Sequence, residues 1–105
     1  MNFFSTLFGS ADKQKLAEAI RGKSFLVDVR TPGEFSHGTV AGAVNIPLNE
    51  VQRQLDRFRN KGAIIVFCQS GNRSSQAKSI LERNGLQNVI DGGSLQNVKQ
   101  ILTEK

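Results

Sequence analysis

Residues 63–74 of the chain read AIIVFCQSGNRS, and this stretch decides the fold. Its first five residues are apolar without interruption, which is typical of a strand buried on both faces of a sheet. Residues 74–84 have the apolar spacing of a helix. The residues between them, which begin with Cys68, are therefore predicted to form a loop that joins a central strand to a helix. In open α/β sheets ligands bind at such a junction, beyond the carboxyl end of a strand.

The residues of this loop have the chemistry of an anion site. Cys68 is the only cysteine in the chain, so it forms no disulfide within the chain. A thiol at a helix N-terminus lies near backbone N–H groups that lack a helical acceptor, and these groups stabilise a thiolate. Arg73 adds a positive charge, and Gly71 allows a turn with positive φ. The plainer alternative is a buried core cysteine, but the whole spacing favours an anion-binding loop with a nucleophilic sulfur at its base.

The distance in sequence between the cysteine and the arginine narrows the chemistry. Four residues separate Cys68 from Arg73, one fewer than in phosphatases of the Cys-x5-Arg type, whose loop holds a tetrahedral phosphate. A shorter loop suits a smaller anion, such as the terminal sulfur of a cysteine persulfide. The pattern Cys68-x-x-Gly71-x-Arg73-Ser74 resembles the active-site loop of rhodanese-like domains, a sulfurtransferase family.

A second part of the chain is similar to the same family. Residues 28–35, DVRTPGEF, followed by residues 42–47, GAVNIP, resemble its second signature. The resemblance implies that this region lines one wall of the site, with Asp28, Arg30 and Glu34 as supporting residues. We expect Arg30 and Glu34 to form an ion pair that holds the loop.

Two positions depart from the family's pattern. The family usually has Gly-His-Ile where residues 38–40 are Gly-Thr-Val, and His37 precedes that glycine. His37 is therefore predicted to be an exposed loop residue rather than the family's histidine. Residues 91–93, DGG, resemble the family's final motif, but Asn97 stands where a tryptophan is common, which affects local packing more than chemistry.

The resemblance implies a covalent, two-step sulfur transfer. Cys68 would take a sulfur atom from a small anionic donor such as thiosulfate and pass it to a thiol or cyanide. The anion-binding loop would comprise Gln69, Ser70, Gly71, Asn72, Arg73 and Ser74, whose backbone N–H groups would stabilise the persulfide. Arg73 would orient the loop or bind the sulfonate, or else pair with a carboxylate such as Asp28 or Asp91. No metal or other cofactor is expected, because one cysteine and one histidine do not make a metal site.

Two alternatives from other classes stay open on the sequence. The first is a non-catalytic rhodanese module, or a sulfur relay, that binds a protein partner. The second is a phosphatase or an arsenate-reductase-like enzyme. The short loop, and Phe67 rather than histidine before the cysteine, argue against the second.

Helices and strands are predicted to alternate along the chain. Strands are expected at residues 25–29, 43–46, 63–67 and 88–91, and helices at residues 11–21, 49–59, 74–84 and 95–102. For the helix at residues 49–59, Asn49 and Gln52 have the spacing of a capping box, and Leu48, Val51, Leu55 and Phe58 share one face. This order predicts an α/β fold, a three-layer α/β/α sandwich with a mainly parallel central sheet of the rhodanese-like type.

Composition is that of a globular chain of 105 residues, with 38% hydrophobic and 22% charged residues. We expect an apolar N-terminal segment, residues 1–9, and a single rhodanese-like domain, residues 10–105. The net charge is +5, but the basic residues are scattered and no nucleic-acid motif is present, so we expect no nucleic-acid partner. No stretch reaches the ~20 apolar residues of a membrane span, and residues 1–8 make a poor signal peptide. A lone cysteine suits a reducing compartment, so we expect a cytoplasmic monomer with a small sulfur donor, a thiol acceptor and, as a further candidate, a sulfur-relay protein.

Overall fold

A computed structural model describes residues 10–103 of the chain, with side chains from residue 14 onward. The predicted N-terminal segment, residues 1–9, lies outside the described residues, so the expectation about it stays a prediction. Helices and strands alternate in the order α1 (Ser10–Arg21), β1 (Ser24–Asp28), α2 (Pro32–Ser36), β2 (Val44–Asn45), α3 (Leu48–Val51), a 3-10 helix (Gln52–Phe58), β3 (Ala63–Cys68), α4 (Asn72–Arg83), β4 (Val89–Ser94) and α5 (Leu95–Thr103).

The strands form one parallel sheet with the order β2-β1-β3-β4. Strand β3 is an interior strand, and its Val66 is paired with Val27 of β1 and with Asp91 of β4. In a parallel sheet all strands end at the same edge, so the residues that follow β1, β3 and β4 come together there. The predicted parallel sheet is confirmed, and its carboxyl edge is where the loop after Cys68 begins.

Helices cover both faces of the sheet, as the apolar composition of β3 predicts. Alternate residues of β3 enter opposite cores: Ile64, Val66 and Cys68 face one, and Ile65 and Phe67 face the other. The first core is closed by α3, the 3-10 helix and α4, and the second by α1 and α5. All five side chains are fully buried, and burial of a large apolar side chain stabilises the fold by ~1.5–3 kcal/mol. The three-layer α/β/α sandwich is therefore confirmed.

The segment after Pro47 differs from the predicted regular helix with a capping box. The helix begins one residue earlier, at Leu48, and no side chain caps it. Its N-terminus is instead satisfied from the sheet, because the Leu48 N–H donates to the carbonyl of Val29 at 3.0 Å. After Val51 the chain tightens into the 3-10 helix, with a break at Gln54. The predicted capping box of Asn49 and Gln52 was therefore wrong.

The predicted apolar face of this segment is correct despite the change of helix type. Val51 and Phe58 are fully buried, and Leu48 and Leu55 pack against the same core. In a 3-10 helix side chains three residues apart lie directly above one another, so Leu55 and Phe58 share a face. The edge of the Phe58 ring also meets Phe25 of β1, with the ring centroids 5.7 Å apart.

Strand β4 contains a bulge that shapes the edge of the sheet near the loop. Its register against β3 shifts after the pairing of Asp91 with Val66, so that Gly93 pairs with Phe67. The intervening Gly92 is tightly enclosed, because a Cβ atom there would lie 3.1 Å from methyl groups of both Ile65 and Val98. This bulge brings the backbone of residues 91–93 beside the cysteine loop.

Candidate active site

The Cys68 sulfur is bound by backbone N–H groups of the loop that follows it. Cys68 is the last residue of β3 and is fully buried. Its Sγ accepts hydrogen bonds from the N–H of Gly71 at 3.0 Å and from the N–H of Ser74 at 3.3 Å. Because α4 begins at Asn72, the Ser74 N–H is one of the first-turn donors that lack a helical acceptor. The sulfur therefore acts as an acceptor for the N-terminus of α4.

These contacts favour the ionised sulfur. Burial acts to raise the pKa of the Cys68 thiol, but hydrogen bonds from the backbone and hydroxyl of Ser74 and from the N–H groups of Gly71 and Ser70 outweigh it. The pKa of Cys68 is consequently lower than its ordinary value. Hydrogen bonds to a charged form stabilise that form, and a thiolate is the nucleophilic form of cysteine.

Gly71 provides the turn that the loop needs. Its φ of +99° lies in the left-handed region, which side chains with a Cβ atom rarely adopt. A Cβ atom there would lie 3.8 Å from the Gly93 Cα, which is an ordinary contact. The conformation, and not the available space, therefore requires glycine at this position.

Arg73 is paired with a residue that the sequence assigned to a different partner. Its two terminal nitrogens donate to the two carboxylate oxygens of Glu34, at 2.7 and 3.0 Å. The pair lowers the pKa of Glu34 to about 2, with a further contribution from the Thr31 N–H. The predicted ion pair between Arg30 and Glu34 was therefore wrong, and so were Asp28 and Asp91 as carboxylate partners for Arg73.

Arg30 instead forms a buried ion pair with Asp28. Its Nη2 lies 2.7 Å from Asp28 Oδ2, and Asp28 is fully buried. The same guanidinium donates to the Gly38 carbonyl at 2.6 Å and to Gln69 Oε1 at 3.2 Å. Thr39 completes the cluster, because its hydroxyl donates to Asp28 Oδ2 at 2.8 Å. Arg30 therefore links the end of β1 to the segment after α2 and to the cysteine loop.

Ser74 is the buried polar residue of the loop. Its hydroxyl oxygen lies 2.7 Å from Asp91 Oδ1 and 3.0 Å from the Gly71 carbonyl. Asp91 Oδ1 also accepts the Gly93 N–H at 2.8 Å. The sequence placed Asp91 in a glycine motif and did not predict its pairing with Ser74. A signal was present, because an acidic residue that follows a strand next to β3 lies at the same sheet edge.

The other predicted residues of the loop lie at its surface. Gln69, Ser70 and Asn72 are exposed. Among them, Gln69 is tethered through its side chain to Arg30, and the Ser70 N–H contributes to lowering the pKa of Cys68. His37 is exposed, as predicted, and its ring Nδ1 lies 2.8 Å from the Gly33 carbonyl.

Asn97, which stands in place of a tryptophan, supports the β4 bulge. Its side-chain nitrogen donates to the Gly92 carbonyl at 2.8 Å, and its backbone N–H donates to the Ser94 hydroxyl at 3.0 Å. A hydrogen bond thus replaces ring packing at this position, and it holds the backbone that lies beside Gly71.

An open groove of about 500 Å³ adjoins the loop at the carboxyl edge of the sheet. Its walls are mostly apolar and include Val29, Pro47, Leu48 and Ile80, and Arg73 lies at its border. The volume is in the range of small-molecule sites. Among residues 10–103, no group of three or more His, Cys, Asp or Glu side chains is arranged to hold a metal ion.

The family model for the rhodanese-like domain matches residues 12–97. The chain therefore belongs to the rhodanese-like family. It is 36% identical over 69 residues to the protein YqhL of Bacillus subtilis, covering 66% of this chain and 55% of that protein. It is 35% identical over 74 residues to the thiosulfate sulfurtransferase PspE of Escherichia coli, covering 69% of this chain and 71% of that protein.

The fold agrees with a solved structure. A rhodanese with anions from E. coli superposes with a TM-score of 0.66 at 34% identity, covering 70% of this chain and 89% of that chain. The chain is thus related to sulfurtransferases in both sequence and structure. None of the helices within residues 10–103 is long and apolar enough to cross a membrane.

Proposed function

We propose that the protein is a sulfurtransferase that carries sulfur as a persulfide on Cys68. The observation that carries this proposal is the position of the Cys68 Sγ, which accepts the N–H groups of Gly71 and Ser74. This arrangement stabilises an anionic sulfur at the base of a short loop. The relationship to PspE supports the same reaction class.

In the first step the Cys68 thiolate attacks the outer sulfur of thiosulfate. The sulfur–sulfur bond of the donor breaks, and sulfite leaves with the bonding electron pair. Cys68 then carries one additional sulfur, and the negative charge lies on that terminal atom. Backbone N–H groups of residues 69–74 would stabilise this charge as an oxyanion hole does.

In the second step an acceptor thiolate, or cyanide, attacks the terminal sulfur. The bond between the two sulfurs breaks, the Cys68 thiolate is regenerated, and the acceptor leaves as a persulfide or as thiocyanate. No general base is needed for either step, because the contacts of Cys68 favour its ionised form. We place an organic thiol acceptor in the groove beside Arg73, since that groove shares the sheet edge with the cysteine loop.

For Arg73 the geometry favours a positioning role. The guanidinium is held on two sides by Glu34, and its side chain is 32% exposed. It therefore fixes the start of α4 against α2 and leaves a partial positive field for the sulfonate end of thiosulfate. The lone thiol also leads us to propose a reducing, cytoplasmic location and a monomeric protein.

A sulfur relay from a protein donor is the second candidate. It is favoured by the complete burial of Cys68, because a buried sulfur restricts which donors can reach it. In this case the first step has the same bond changes, but a partner's persulfide replaces thiosulfate as the donor.

Intact mass after incubation with thiosulfate tests the proposal. We expect a gain of one sulfur atom that maps to Cys68 and that cyanide removes. Cys68→Ser is the matched variant, and it should keep the fold while gaining no sulfur. Absence of the adduct in folded, reduced protein would reject thiosulfate as donor and favour the relay, whereas an adduct on Cys68→Ser would refute the nucleophile.

The same sample tests the phosphatase alternative. We expect no hydrolysis of p-nitrophenyl phosphate above the level of Cys68→Ser, because the loop is one residue shorter than a phosphate-binding loop. Hydrolysis that depends on Cys68 would contradict the sulfurtransferase assignment.

A further inference from the structure

Ser74 has one hydroxyl proton and more than one acceptor for it. The hydroxyl oxygen lies 2.7 Å from Asp91 Oδ1, a distance typical of an O–H group that donates to a carboxylate. The same hydroxyl is among the groups that lower the pKa of Cys68 when it donates to the sulfur. One proton cannot serve both acceptors fully, because a hydroxyl is a single donor.

Asp91 is well placed to act on this hydroxyl. It follows the first residues of β4, next to β3, and its Oδ1 is fixed by the Gly93 N–H at 2.8 Å. Ser74 itself is fully buried, so water does not offer its hydroxyl another partner. The carboxylate and the sulfur therefore face each other through one buried hydroxyl group.

We propose that Asp91 is a positioning residue that competes with the Cys68 sulfur for the hydroxyl proton of Ser74. This inference rests on the proposed function only in taking Cys68 as the reacting group. When Cys68 is a thiol or a persulfide, the Ser74 hydroxyl donates to Asp91. When Cys68 is a thiolate, the hydroxyl turns toward the sulfur, and Asp91 retains the Gly93 N–H.

The competition has a role in the reaction cycle. Sulfur transfer moves the negative charge from the Cys68 Sγ to the terminal sulfur, which makes Sγ a weaker hydrogen-bond acceptor. The Ser74 hydroxyl then donates to the Asp91 carboxylate, and this hydrogen bond offsets the weaker one at Sγ. Asp91 would thus reduce the difference in stability between the thiolate and the persulfide, which suits a cysteine that alternates between the two.

Other charged groups near the loop are already paired. Arg73 of α4 is attracted to the Cys68 thiolate but is bound to Glu34 of α2. At the end of β1, Arg30 and Asp28 bind each other. Variants of Asp91 and Ser74 therefore change the competition for the hydroxyl proton without removing either pair.

The test is a pH titration of the Cys68 thiolate by its ultraviolet absorbance, without any sulfur donor. In Asp91→Asn we expect a lower pKa of Cys68, because an amide holds the Ser74 proton less strongly than a carboxylate. The rate of alkylation by iodoacetamide at pH 6 should rise by about threefold or more. In Ser74→Ala we expect a higher pKa of Cys68 and slower alkylation.

The double variant distinguishes the hydroxyl from a direct effect of the Asp91 charge. In the Ser74→Ala background, Asp91→Asn should leave the pKa of Cys68 unchanged. A decrease of the same size in both backgrounds would overturn the proposal, as would no change in the single variant. Asp56→Asn is the matched control, because its side chain is fully exposed.

A second measurement does not require an Asp91 variant. The carboxyl carbon of Asp91 in labelled wild-type protein should show a chemical-shift step at the pH where Cys68 titrates. The step should vanish in Ser74→Ala. A step that persists there, or its absence in the wild type, would also refute the competition. Because neither experiment includes a sulfur donor, failure of sulfur transfer and failure of this inference are separate results.

Discussion

Arg73 and Glu34, which are 39 residues apart in the sequence, form a bidentate ion pair at 2.7 and 3.0 Å that joins the start of α4 to α2. Glu34 is also part of a capping box at the N-terminus of α2, where its side chain accepts the Thr31 N–H. One carboxylate therefore caps a short helix and holds the arginine of the cysteine loop. This arrangement makes the position of Arg73 depend on the folding of the segment after β1.

Glu34→Gln should reduce stability in a pH-dependent way. The pKa of Glu34 is lowered to about 2 from an ordinary value of 4.5, so its contribution is present above pH 4.5 and is lost as the pH falls toward 2. Since the pair is about one third exposed, we expect a loss of only about 0.5–1 kcal/mol at pH 6. Urea unfolding of both proteins between pH 6 and pH 3 measures it. A difference that stays constant over this range would contradict the assigned ion pair.

Arg73→Lys separates the charge of Arg73 from its geometry. Lysine keeps the positive charge but cannot form the bidentate contact with Glu34. If Arg73 positions the loop, both Arg73→Lys and Arg73→Ala should raise KM for thiosulfate by about tenfold, with smaller effects on thermal stability. Retention of the wild-type KM in Arg73→Lys alone would instead assign a purely electrostatic role. Arg57→Ala, which removes an exposed arginine of the 3-10 helix, is the control.

Asp28→Asn should strongly destabilise the fold. It leaves the Arg30 guanidinium, which is only 4% exposed, without its charged partner. Loss of one member of a buried ion pair costs about 3–5 kcal/mol. Urea unfolding at pH 7 checks this, and Asp56→Asn, which breaks an exposed pair with Arg59, should change stability by less than about 1 kcal/mol. Equal effects of the two substitutions would mean that the buried pair does not stabilise the protein.

Asn49→Trp tests the groove as the site of the acceptor thiol. Asn49 is an exposed residue of the groove, so a larger side chain there can fill the groove without disturbing the core. We expect KM for an organic thiol such as dithiothreitol to rise by about threefold or more, with KM for cyanide unchanged because cyanide does not need the groove. Gln87→Trp, at an exposed position outside the groove, is the control. An unchanged thiol KM would place the acceptor elsewhere.

Much of the site could be predicted from short stretches of sequence. Cys68, Gly71 and the start of α4 are neighbours in the chain, so their geometry follows from local rules for strand ends and helix N-termini. The same holds at the end of α4, where the predicted role of Gly85 is confirmed by hydrogen bonds from Gly85 to Glu82 and from Leu86 to Leu81. Predictions fared worse where a side chain had several partners within reach. Arg30 is close in sequence to both Asp28 and Glu34, and only the burial of Asp28 beside it decides between them.

The sequence by itself determined the layered α/β fold and the position of Cys68 at the end of a central strand. Apolar runs and helical spacing are local properties, and they dictate which surfaces must be buried. Only the tertiary structure decided which charges and hydroxyl groups meet: Arg73 with Glu34, and Ser74 with Asp91. These pairs join residues 39 and 17 positions apart, and they depend on strand register and on the β4 bulge. Coulombic and hydrogen-bond partners are selected by distances of a few tenths of an ångström, which periodicity does not encode.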